Sequence, residues 1–104
     1  MNHYQVILSE TVEIQLADAK ARISLIATPS TVDGYIAGIL AFCDDFTMFP
    51  HRGINRDDIR PGLRVVSYRK RVDIAIVVDD DARTVSILHV FFGGQDYETL
   101  LHGL

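Results

Sequence analysis

The chain of 104 residues has one cysteine, no tryptophan and few prolines. Cys43 cannot form an internal disulfide on its own, which points to a cytoplasmic setting. Its place in a helical pattern marks it as a small buried hydrophobe. No segment approaches the roughly 20 consecutive apolar residues of a membrane helix. The opening "MNHYQVILSETVE" lacks the basic and then apolar succession of a signal peptide. His3, His51, His89 and His102 lie far apart with no His or Cys at ligand spacing, so no metal site is expected. A Gly-rich phosphate loop, a nucleophile motif and usefully spaced paired carboxylates are also missing, and no cofactor is expected. Gly93-Gly94 reads as a turn. Asp79-Asp80-Asp81 reads as a solvated turn without the further ligands of a calcium loop.

Positive charge is also scarce overall. The formal charge of −4 argues against a general nucleic-acid binder, and no sequence-specific DNA binding by this chain is expected. The cations are nevertheless concentrated: Arg52, Arg56, Arg60, Arg64, Arg69, Lys70 and Arg71 fall within twenty residues. That run suits either a local basic surface on an acidic protein or a solvated loop and strand edge.

What is present is ordinary globular composition, 48% apolar and 23% charged, enough for a single domain over residues 1–104. Tyr4 to Leu8 reads as a strand. Ser9, followed by Glu10 and Glu13, reads as a helix N-cap, and Val12, Leu16, Ala19, Ile23 and Ile26 form the stripe of an amphipathic helix that Pro29 stops. Ser30 offers a second N-cap, with Asp33 as its capping-box acid, and Val32, Ile36, Ile39, Cys43 and Phe46 repeat the stripe until Pro50. So short a joint folds the two helices back as an antiparallel hairpin that needs a sheet to cover. His51 to Gly62 carries loop signals. Three strands follow: Leu63 to Arg69, Val72 to Asp79, and Thr84 to Phe92, with a turn at Asp79 to Arg83. The order β-α-α-β-β-β, closed by a short C-terminal helical segment, predicts an α+β fold: a helical hairpin packed on a mainly antiparallel sheet.

The last strand is apolar on both faces. Strict alternation sets Val85, Ile87, His89 and Phe91 against Ser86, Leu88, Val90 and Phe92. One face covers the hairpin. Only the short "QDYETLL" segment remains for the other, which suggests the seat of a partner.

The segment "IRPGLRVVSYRKRVDIAIVVDDDARTVSILHVFFGGQDYETLL" resembles the C-terminal half of the RelE/ParE toxin superfamily of bacterial type II toxin–antitoxin modules. The resemblance extends over the whole domain through the leading strand, the helical hairpin, the "G-L-R" at Gly62-Leu63-Arg64 that opens a meander, and a closing "G-x-D" after the last strand. It implies one of two activities, because RelE-type members are ribosome-dependent mRNA endonucleases and ParE-type members inhibit DNA gyrase. It also implies an antitoxin that wraps the toxin. A metal-independent nuclease needs Arg, Lys and Tyr side chains converging on one sheet face. Here Val72-Asp73 stands where the family usually carries Tyr-Arg, Phe91-Phe92-Gly93-Gly94 where a basic pair is frequent, and Gln95-Asp96 for the usual Arg-Asp.

These departures favour the ParE branch: a growth-inhibiting toxin that binds gyrase rather than an enzyme, neutralised by a ParD-like antitoxin in a hetero-oligomer. The RelE-like endonuclease is the alternative, and a small-ligand-binding α+β protein is the alternative of another class. The resemblance nominates Arg64, Tyr68, Arg69, Arg71, Gln95 and Asp96 as target-binding residues. Arg52, Arg56, Arg60, Ile87, His89, Phe91, Phe92, Tyr97 and Leu100 are candidates for antitoxin binding. His89 is the one acid–base candidate, although a lone histidine on an apolar strand is more often a packed core residue.

Overall fold

The computed structural model describes residues 3–93 and 97–102, the side chain of Tyr97 excepted. Strand β1 (Gln5–Leu8) leads into helix α1 (Glu10–Ile23). Ser9 caps that helix by accepting from the Val12 N–H at 3.1 Å. Such a cap contributes about 1 kcal/mol. Val12, Leu16 and Ala19 are buried. The expected stripe continues further than the packing does, for the helix ends at Ile23 and Ile26 lies 88% exposed beyond it.

Pro29 starts the second helix instead of stopping the first. Helix α2 (Pro29–Asp44) has Pro29 at its first turn, and its N-cap is Thr28 rather than Ser30. A proline loses nothing there, because that N–H has no helical partner in any case. A 3-10 turn (Asp45–Thr47) then buries Phe46.

Strand β2 (Ile54–Asn55) lies inside the segment expected to be loop. It is followed by β3 (Leu63–Tyr68), β4 (Val72–Asp79), β5 (Thr84–Phe92) and the short helix α3 (Tyr97–His102). The described strands form one sheet in the order β1-β5-β4-β3-β2. Strand β1 runs parallel to β5 and the other pairings are antiparallel, which is the expected α+β architecture. Val72, Ile74, Ile76 and Val78 of β4 face the hairpin, and Ala75 and Val77 face the other way, as their alternation predicts. Among the described residues no helix is long and apolar enough to cross a membrane.

Two glycines are required by the backbone. Gly53 has φ +78°, and a Cβ there would meet the Val65 carbonyl oxygen at 2.2 Å. Gly62 has φ +81° and lies close to the Val78 carbonyl oxygen, and the Val78 N–H donates to the Gly62 oxygen at 2.9 Å. Both hold the 51–62 segment against the sheet.

Candidate functional site

Strand β5 contains a bulge that redistributes its side chains. Its pairing with β4 sets His89 opposite Ala75 but Ile87 opposite Ile76, leaving Leu88 as the extra residue. Val85, Ile87, Val90 and Phe92 therefore face the hairpin, while Leu88 and Phe91 join the core of the other face. Strict alternation fails past Ile87, so Ile87 does not share a face with Phe91, and Val90 and Phe92 join Ile87 on the hairpin side. As antitoxin contacts, Ile87 and Phe92 are on the covered side, and Ile87 is fully buried.

Beyond Leu8 the edge of β5 is no longer paired with β1, and α1 supplies side chains to it. The Ser9 hydroxyl donates to the Leu88 carbonyl at 3.2 Å. Gln15 Oε1 accepts from the Val90 N–H at 2.8 Å, and Gln15 Nε2 lies 3.3 Å from His89 Nδ1. The His89 ring stacks on Phe91 at 5.6 Å, and its burial lowers its pKa, favouring the neutral ring that can accept from Gln15. Gln15 is separated from its partners by more than seventy positions, and no local pattern in the sequence marks it.

The outer sheet face is a small second core of Leu63, Val65, Ala75, Phe91 and Leu101, with Ile59, Val77 and Leu88 packed beside it. The expected C-terminal cover is present in part. Leu101 of α3 is 2% exposed, and the neighbouring Leu100 is 47% exposed. Arg56 fastens this helix by pairing with both Asp58 and Glu98. Its hydrogen bond to Asp58 raises the Arg56 pKa and holds the Asp58 carboxyl below its usual range. A cavity of about 280 Å³ remains between Ile59, Arg60, Leu63, Leu88 and Leu101. Arg60 at its rim makes no ion pair among the described residues.

The remaining cations are dispersed. Arg52 lies over the Phe42 ring at 4.8 Å. Arg64 donates from Nε to the Arg52 carbonyl at 2.9 Å and from Nη2 to the His51 carbonyl at 3.3 Å, bracing the loop before β2. Tyr68 is half-buried against Phe42, with its hydroxyl over Gly38, where an added Cβ would come within 2.7 Å. Arg69, Lys70 and Arg71 form the β3–β4 turn, away from the outer-face core. Gln95 and Asp96, and the side chain of Tyr97, lie outside the described residues.

A polar cluster closes the sheet's other end. Asp80 Oδ1 accepts from the Tyr4 hydroxyl at 2.6 Å and lies 2.7 Å from His51 Nε2, and these bonds depress its pKa. Asp79 Oδ1 accepts from the backbone of Asp81 and Ala82. These carboxylates hold the turn in place through internal hydrogen bonds.

The arrangement as a whole is a helical hairpin on one face of a mixed sheet and a thinly covered apolar face on the other. This is the architecture that the sequence resemblance implies. The structure is similar to a chain of the chromosomal ParDE TA system from P. aeruginosa, with TM-score 0.73 and 12% identity over 89% of this chain and 99% of that one. It is also similar to a chain of the toxin–antitoxin complex RelBE2 from Mycobacterium tuberculosis, with TM-score 0.60 and 21% identity over 86% of this chain and 98% of that one. No family model matches the sequence, and no curated protein matches it. At these identities the likeness establishes the fold.

Proposed function

We propose that this chain is the toxin of a bacterial toxin–antitoxin pair, of the ParE type, acting in the cytoplasm by binding DNA gyrase and silenced by a ParD-like antitoxin. The observation that carries the reading is the fold shared over nearly the whole chain with components of two toxin–antitoxin systems. The distribution of charge supports the branch. A nuclease active on RNA would gather cations around an acid–base group on one sheet face. Here Arg52, Arg56 and Arg64 are engaged by Phe42, by carboxylates and by backbone carbonyls, and Asp73 stands on β4 where the resemblance would put a cation. His89, the acid–base candidate, is held beside Gln15 and Phe91.

The antitoxin's seat is the outer face. The half-buried Leu88 and the 280 Å³ cavity beside it offer apolar surface, and Arg60, which makes no ion pair among the described residues, supplies a cation at the rim. Leu100 of α3, 47% exposed, stands next to the buried Leu101 of that face. A wrapping partner segment offsets its own ordering cost by covering such a face. Arg56 flanks this seat with a charge already committed to Asp58 and Glu98, whereas Arg52 lies over Phe42 on the hairpin side.

The test is induction of the chain alone in a bacterial host. Growth should stop with filamentation and chromosome damage while messages stay intact. Rapid cleavage of mRNA within translated frames would replace the gyrase reading with the endonuclease one. Normal growth would remove the toxin reading altogether.

A further inference from the structure

The turn joining β3 and β4 is strained in a way that its residues make worse. The Arg71 N–H donates to the Tyr68 carbonyl at 3.2 Å, and the two residues between them, Arg69 and Lys70, have φ of +53° and +59°. A tight turn with two successive left-handed residues is the geometry for which Asn-Gly is favoured, because other side chains crowd the backbone there. This chain places two long cations in those positions, and both are exposed. The packing offers little compensation. The Arg69 guanidinium lies 5.4 Å from the Tyr68 ring centre, and Lys70 makes no ion pair or hydrogen bond among the described residues. Strain held at an exposed position without a local return points to a use outside the fold.

We propose that the β3–β4 turn is a cationic docking tip that receives an acidic segment of the protein this chain acts on, with Arg69, Lys70 and Arg71 as its three charges. The inference rests on the reading of the chain as a toxin that works by binding, and adds where and through what chemistry the target is held. Three consecutive exposed cations on one turn meet carboxylates of a short peptide segment without burying them. Contacts of this kind steer encounter and fix orientation. A nucleic acid fits less well. Three phosphate contacts give a salt dependence of only about 2 in log–log slope for a single strand, too few for firm binding. A strand running on past the turn would also meet Asp73 and a chain whose formal charge is −4.

The structure supplies a test in which stability and function move in opposite directions. In Arg69→Asn/Lys70→Gly the turn keeps its geometry with residues that prefer it, so the thermal midpoint should rise by about 5 °C. Growth arrest should weaken about tenfold in the expression level required, the equivalent of about 1.4 kcal/mol of target binding. In Arg69→Gln/Lys70→Gln the backbone handicap stays and the charge goes, so growth arrest should weaken equally with the midpoint unchanged. If either variant arrests growth as strongly as the parent, or if the Asn-Gly variant melts lower, the proposal is overturned. If the parent chain does not arrest growth, it is the toxin reading that fails.

Nuclear magnetic resonance on the ¹⁵N-labelled full chain separates the partners, with a hexaglutamate peptide and a uridylate hexamer as probes at physiological salt. The backbone amides of residues 69–71 should move with the peptide and not in the Gln-Gln variant. Stronger movement with the oligonucleotide would overturn the acidic-segment assignment.

Discussion

Deleting Leu88 removes a residue from the middle of an inner strand, and the bulge predicts that the protein survives it. In a regular strand a one-residue deletion turns every later side chain to the opposite face. Val90, Phe91 and Phe92 would then leave their places, at about 1.5–3 kcal/mol for each side chain displaced from a core. The total would approach the whole stability of a domain, about 5–15 kcal/mol. Here Leu88 is the surplus residue, because Ile87 and His89 already pair with the adjacent Ile76 and Ala75. Removing it restores plain alternation and leaves Val90 and Phe92 toward the hairpin and Phe91 toward the outer face. The losses are the half-buried Leu88 side chain and the Ser9 hydroxyl bond to its carbonyl. Together these come to about 2–3 kcal/mol. Urea denaturation followed by circular dichroism should show one cooperative transition at lower midpoint with an unchanged slope. A deletion protein that does not fold, or that loses more than about 5 kcal/mol, would refute this reading of β5.

Three further outcomes follow from the packing. Gly53→Ala forces a Cβ to within 2.2 Å of the Val65 carbonyl at φ +78°, and should cost at least about 2 kcal/mol in denaturant midpoint measurements, as strain at such a site does. His89 has a folded-state pKa below its unfolded value, so the unfolded chain takes up the proton first. Stability should therefore fall as pH drops from the unfolded value near 6.5 toward the folded one, and His89→Gln should flatten that part of a stability–pH profile. Arg56→Ala should loosen α3 selectively, with faster hydrogen exchange at residues 98–102 and little change in β4, since only Arg56 ties Glu98 to the loop among the described ion pairs.

How much of this was legible from residues alone depended on whether burial left a periodic mark. The bounds of β4 and β5 were readable because apolar strand formers run from Val72 to Val78 and from Val85 to Phe92, set off by the charged turns at 69–71 and 79–83 and by Gly93. The joint between the helices was misread. In the sequence Pro29 reads as a stop, whereas Thr28 precedes it as a cap and makes it a start. Strand β2 left no mark, since both its residues are exposed and its pairing is imposed by Gly53 and by the bracing of Arg64. The bulge was invisible for a different reason. With apolar residues on both faces of β5, a shift of phase does not disturb any polar–apolar alternation. At the site, an apolar outer face was foreseeable from the two-sided apolar character of β5, but Gln15, Ile59 and Glu98 were not, because no local pattern marks them. The basic run from Arg52 to Arg71 was visible as composition only. Folding divides it into braces, a clamp, a rim charge and a strained turn.

A toxin of the proposed kind inhibits gyrase by binding and does not cut RNA. The measurement that tests it most directly is supercoiling of relaxed plasmid by purified gyrase with increasing amounts of the purified chain. Supercoiled product should be lost in a dose-dependent way, with no cleavage of message by the same preparation on translating ribosomes. Undiminished supercoiling at saturating chain, together with ribosome-dependent message cleavage, would contradict it.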